Sequence, residues 1–209
     1  MRTNAKVGLT ALIAALLLSA ALSTASARNI EFSNQTYRVA WSRLEFQSAF
    51  VTGACQVTLE GSFHSRTIPK VARLLVGAVT RVNIKKESCT NGEALVDNST
   101  LPGHITYESF TGALPNISSL RLLLNRFTFW VAALGVRCTY GTSTDNMTFS
   151  ANLAAGGEIT TLTPLAGRNI ANLLEGGGLC PANVTLVGGA TDGVVTVLNS
   201  TTRIRVRLI

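Results

Sequence analysis

Apolar side chains recur at every second position through most of this chain, a period that fits half-buried strands and leaves little room for helices. It is clearest from Cys55 to Ser65, where Cys55, Val57, Leu59 and Phe63 share one face and Gln56, Thr58, Glu60, Ser62 and His64 the other. After Thr67-Ile68-Pro69-Lys70 a second strand runs to about Lys86, with Val82 and Ile84 facing in and Arg81, Asn83 and Lys85 facing out. Paired antiparallel, the two form a hairpin. The midpoint between Cys55 and Cys89 is Ala72, beside that turn, so these cysteines are expected to be neighbours.

Elsewhere the alternation changes phase. Tyr37, Val39 and Trp41 are odd and Leu44, Phe46 and Phe50 even, which predicts a β-bulge near Ser42-Arg43. Leu120, Leu122 and Leu124 are likewise out of phase with Phe127, Phe129 and Val131, so Leu120 to Tyr140 reads as one long, bent core strand. Arg121 and Arg126 leave it too short an uncharged run to span a membrane as a helix. Further strands are expected at His104 to Phe110, Asn146 to Ala151, Val184 to Val187, Val194 to Leu198 and Thr202 to Leu208, with Ile170 to Glu175 the only short helical candidate. Short strands, Gly-rich turns and no α/β rhythm indicate an all-β fold: a disulfide-stapled antiparallel β-sandwich, with a small closed β-barrel as the alternative. An outer-membrane barrel would share the alternation but should carry aromatic girdles, which the sequence lacks.

The first residues bear on the cysteines. Arg2 and Lys6 precede an uncharged run from Val7 to Leu22, and Ala25-Ser26-Ala27 has the small-x-small pattern of a cleavage site. Residues 1–27 are therefore expected to be a signal peptide and residues 28–209 one secreted or extracellular domain, with no transmembrane span after cleavage. In an oxidising compartment, four cysteines read as two disulfides rather than as metal or redox groups. With Cys55 joined to Cys89, Cys138 is left for Cys180. Each bridge contributes roughly 3 to 4 kcal/mol in the chain-entropy model.

Few residues suggest chemistry. The two histidines, His64 and His104, cannot complete a tetrahedral zinc site, and neither H-x-x-x-H nor C-x-x-C occurs, so no metal site is expected. There is no G-x-S-x-G elbow, and the Gly-rich stretches lack the Lys-Ser/Thr of a phosphate loop. Gly176-Gly177-Gly178 reads instead as a loop beside a disulfide. No catalytic residue and no cofactor site is assigned. Glu31, Glu45, Glu60, Glu108, Glu158 and Glu175 leave open a glycosidase-like carboxylate pair, whose separation a sequence does not give. N-x-S/T occurs at Asn34, Asn98, Asn116, Asn146, Asn183 and Asn199, meaning glycosylation in a eukaryotic secretory pathway and Asn/Thr-rich turns in a bacterium.

The formal net charge is +7, and it stays positive without Arg2 and Lys6. Such a balance favours anionic neighbours such as a cell-wall polymer or glycan. The pointed feature is Arg203-Ile204-Arg205-Val206-Arg207-Leu208, which at period two would line Arg203, Arg205 and Arg207 along one outer face about 7 Å apart. Such a ladder suits anion binding. It also keeps a terminal strand from pairing with another chain, the better-supported role, since nucleic-acid readers add stacking aromatics and a wider basic patch. No specific nucleic-acid partner is expected.

Cys55-Gln-Val-Thr-Leu-Glu-Gly-Ser-Phe-His64 with Thr67-Ile-Pro-Lys70, then Leu101-Pro-Gly-His-Ile-Thr-Tyr107 and Phe110-Thr-Gly-Ala-Leu-Pro115, resembles a group of secreted bacterial all-β proteins with no known activity. The resemblance implies one extracellular domain and brings no ligand or catalytic residue. Together these readings point to a non-enzymatic binding or structural module of the cell envelope or its surroundings, with a secreted polysaccharide hydrolase as the alternative. Non-reducing peptide mapping should join Cys55 to Cys89 and Cys138 to Cys180. A Cys89–Cys138 peptide would discard the hairpin register too.

Overall fold

A computed structural model describes residues 29–142, 147–189 and 191–209. The expected signal peptide, and Asn146 with its N-x-S/T site, lie outside the described residues. The chain forms β1 (Asn29–Phe32), β2 (Thr36–Gln47), β3 (Thr52–Phe63), β4 (Thr67–Pro69), β5 (Leu75–Thr90) and β6 (Glu93–Val96). After a 3₁₀ turn at Asn98–Thr100 come β7 (Gly103–Ala113), β8 (Asn116–Asn125), β9 (Thr128–Ala133), β10 (Val136–Gly141) and β11 (Met147–Leu153). The rest are β12 (Ile159–Pro164), β13 (Ile170–Glu175), β14 (Asn183–Gly188), β15 (Val194–Val197) and β16 (Val206–Leu208).

The fold is all-β and antiparallel, and its main sheet closes. Strands β15, β12, β11, β8, β7, β5, β3 and β2 follow one another, and β15 pairs with β2 as well as with β12, giving a closed barrel rather than two facing sheets. Closure removes the edges that a sandwich leaves exposed. The inward residues Tyr37, Val39, Leu59, Phe63, Val79 and Val195 are buried, whereas Arg38, Glu60 and Arg81 face outward. That is the reverse of a lipid-facing outer-membrane barrel, whose apolar band lies outside. A small sheet in the order β16-β1-β4 plugs one end with Ile30, Phe32, Ile68, Val206 and Leu208, and Phe32 stacks on Phe63 with ring centroids 4.0 Å apart.

The predicted bulge in β2 falls between Trp41 and Leu44, and there β2 changes neighbour. Tyr37–Ala40 pair with β15, closing the barrel; Leu44–Gln47 pair with β14, from which the sheet continues through β13, β10 and β9 to β6. The loop joining β14 to β15 crosses the bulge and places Asp192 on it. The two carboxylate oxygens of Asp192 accept from the backbone N–H groups of Ser42 and Arg43, each at 2.8 Å, and Oδ1 also accepts from Gly193 N–H at 3.0 Å. Partial burial raises the Asp192 pKa, but these three backbone donors together with the Ser42 hydroxyl outweigh it and leave the group below its ordinary value. Gly193 follows with φ +78°, and a Cβ there would meet Leu162 O at 2.2 Å and Trp41 Nε1 at 2.5 Å. Only glycine lets the loop lie this close to Trp41, whose indole N–H donates to Leu162 O.

Three local expectations change. The segment Leu120 to Tyr140 is not one bent strand but parts of β8, β9 and β10, because Arg126 (φ 55°) and Leu134 (φ 53°) turn the chain through left-handed conformations. Ile170–Glu175 is strand β13, held between β10 and β14, not a helix. At the carboxyl end only Val206–Leu208 is strand, with an isolated bridge joining Arg205 to Glu158. The hairpin pairing of β3 with β5 holds, although its register shifts between Ala54 and Gln56 and between Glu60 and Gly61, and β4 leaves it to pair with β1.

Asp192→Asn keeps the shape but offers one acceptor where the bulge presents two N–H donors. We expect it to lower stability in denaturant unfolding by about 0.5 to 1.5 kcal/mol, since solvent reaches these bonds and screens the charge. A group with a depressed folded-state pKa stabilises above its unfolded pKa and loses that contribution as pH falls through the folded value. The gap between wild type and variant should therefore be full near neutrality and close in acid.

Candidate functional site

The predicted arginine ladder is only partly outward. Ile204, Val206 and Leu208 enter the core as expected, but Arg203 turns to the barrel wall and donates from Nη1 to Thr160 O at 2.7 Å and Val195 O at 3.2 Å. Arg205 meets Glu158 Oε1 through Nε at 3.0 Å and Nη2 at 2.8 Å, and Arg207 pairs with Glu31 across β16 and β1. All three guanidinium groups thus have intramolecular partners.

Most of the candidate carboxylates are similarly engaged, while Glu175 is exposed at the end of β13. Glu60 lies between Arg38 and Arg81, Glu45 faces Arg43, and Glu108 pairs with Arg168. Hydrogen bonds from the Gln47 side chain and then from Arg43 lower the Glu45 pKa, opposite to what a general acid at neutral pH requires. His64 is exposed at the end of β3 and His104 sits in β7 opposite Asn125. Among the described residues no cluster of His, Cys, Asp and Glu could hold a metal ion, and no helix is long and apolar enough to cross a membrane.

The barrel interior retains only an apolar void of about 50 Å³ between residues such as Leu59, Leu122 and Phe149, well below the volume of small-molecule sites.

A larger space opens where the sheet extends past the bulge. A cleft of about 360 Å³ has Phe46, Cys138, Tyr140 and Val184 as its buried floor. Its walls are the half-buried Val51, Val131, Val136 and Pro181. Its rim is Phe50, Leu134 and Leu179, which are 73%, 92% and 72% exposed. Each rim residue comes from a different loop: β2–β3, β9–β10 and β13–β14. From sequence, Phe50 falls in an inward phase, Leu134 within the Leu120 to Tyr140 core strand and Leu179 in the loop beside a disulfide, and none of the three is assigned a role. The signal was an apolar residue in a turn, at Leu134-Gly135 and at Gly178-Leu179.

Both expected disulfides form, Cys55–Cys89 between β3 and β5 and Cys138–Cys180 between β10 and the loop carrying Leu179. The second builds the cleft. It ties the Gly176–Gly178 loop down beside Tyr140, whose hydroxyl donates to Pro181 O at 3.2 Å, and burial raises the Tyr140 pKa so that the phenol keeps its proton. Ser48, the other polar side chain in the lining, donates from Oγ to Val51 O at 2.9 Å and accepts from Val51 N–H at 3.1 Å. Both hydroxyl hydrogens therefore already have acceptors within the protein, and the surface offered to a guest is apolar.

Replacing Cys138 and Cys180 together by alanine should remove up to about 4 kcal/mol of stability by the loop-entropy argument. Hydrogen exchange should rise first in residues 176–182, with protection of the barrel strands retained at low denaturant. No protein family, curated protein or solved structure matches this chain, so its functional reading rests on the cleft and its surroundings.

Proposed function

We propose that this chain is a non-enzymatic binding module of the extracellular space that holds an apolar small molecule, or the apolar part of a larger one, in the cleft between its three loops. One observation carries the reading: the lining is hydrocarbon and aromatic, and its hydroxyl groups are hydrogen-bonded within the protein. A polar guest would lose hydration without compensation there, whereas an apolar guest gains from leaving water. A volume of about 360 Å³ falls in the range of small-molecule sites. Two disulfides fit an oxidising compartment, in keeping with the leader-like first residues and the resemblance to secreted proteins.

A cell-wall polymer or acidic glycan on the arginine ladder draws less support, because Arg203 is turned to the barrel wall and Glu158 and Glu31 offset the charges of Arg205 and Arg207. A hydrolase reading draws less support because Glu31, Glu45, Glu60, Glu108 and Glu158 are each paired with arginine.

A neutral naphthylamine probe should bind saturably, with equal affinity at low and high salt. Val136→Trp, at a half-buried wall position, should weaken that binding by about tenfold or more, equivalent to about 1.4 kcal/mol, while leaving the melting transition cooperative. Probe uptake that does not saturate, or an affinity untouched by Val136→Trp, would overturn the reading.

A further inference from the structure

The rim of the cleft has properties that holding a small guest does not require. Leu134 occupies the first turn position of the β9–β10 hairpin with φ 53°, followed by Gly135 with φ 78°. Asn-Gly or Gly-Gly meets that geometry without strain, whereas a Cβ in the left-handed region is disfavoured. Leu134 is also 92% exposed, so the fold gains almost no burial from it. Phe50 and Leu179, at the tips of two other loops, are in the same position, and all three border one opening.

Lower on the same hairpin the composition changes. The guanidinium of Arg137 lies over the ring of Trp130 at 4.4 Å from its centroid, with Trp130 half-buried and Arg137 exposed. Strand rise places this pair about 10 to 13 Å from the Leu134 tip. Apolar tips with an amphipathic ring and a cation one step back are the sequence of polarity met on passing from the acyl boundary of a bilayer to its headgroups.

We propose that these three loop tips dock the protein on a lipid surface, with Phe50, Leu134 and Leu179 entering the acyl boundary and the Trp130–Arg137 pair resting among the headgroups. A bilayer fits better than a protein partner because the apolar side chains stand on separate tips around an open cleft. A protein would have to fill that relief at interior packing density, whereas fluid chains flow around it. The inference goes beyond the cleft's guest and depends on the tips, not on the cleft being filled.

Vesicles of phosphatidylcholine with phosphatidylglycerol are the test. The protein should co-sediment with them and its tryptophan emission should shift to the blue. Brominated acyl chains should quench Trp130 while sparing Trp41, which is 3% exposed in the core. Replacing Phe50, Leu134 and Leu179 together by aspartate should reduce partitioning at least tenfold, and Val71→Asp, at an exposed valine away from the cleft, should leave it unchanged. Val136→Trp, which occludes the cleft, should retain vesicle binding, so failure of the cleft reading and failure of this one are separable. No co-sedimentation by wild type, partitioning unaltered by the triple variant, or tips buried in a dimer of this chain would each overturn it.

Discussion

The contact between Asp192 and the bulge of β2 is the constraint on which the two halves of this molecule depend. A bulge leaves backbone donors out of the ladder, free to take a partner from another part of the chain. Here the N–H groups of Ser42 and Arg43 point at one carboxylate carried by the β14–β15 loop. The same loop joins the strand that extends the sheet to the strand that closes the barrel. One ion therefore satisfies the irregularity and fixes where β2 stops serving one half and begins serving the other. Trp41 and Gly193 complete the joint, since the glycine lets the loop approach the indole.

Division of labour follows from this joint. The closed barrel has an apolar interior with almost no spare space and is plugged by the β16-β1-β4 sheet. The extended part of the sheet has no plug, and its concave side is left open as the cleft. Loops at the open end are held by Cys138–Cys180 and by the bond from Tyr140 to Pro181, so the apolar rim is presented on a braced support.

Much of the strand pattern was legible locally. Val57, Leu59 and Phe63 are buried as their spacing predicts, the β2 bulge sits where the phase changes, and both cysteine pairs follow from hairpin register and remainder. The misreadings have physical causes. Arg126 and Leu134 hold left-handed conformations usually left to Gly or Asn, so of the breaks that make β8, β9 and β10 out of one apolar stretch only the second carried a turn residue, Gly135. Ile170–Glu175 is too short for periodicity to tell strand from helix, and its neighbours β10 and β14 decide the matter. The cleft rim escaped notice because a single exposed Phe or Leu in a loop has no period.

Alternation along the chain, by itself, determined that this protein is all-β and which face most strands bury. Those are consequences of side chains pointing to opposite sides of a strand, a relation set by adjacent residues. Only the tertiary structure decided that the sheet closes through β15 and β2, that the arginine ladder meets Glu158, Glu31 and backbone carbonyls, and that three distant loops share one apolar opening. Period two tells a strand which side to bury but not which strand to lie beside. That choice rests on long-range packing and on partners far apart in the chain, such as Asp192 and Ser42.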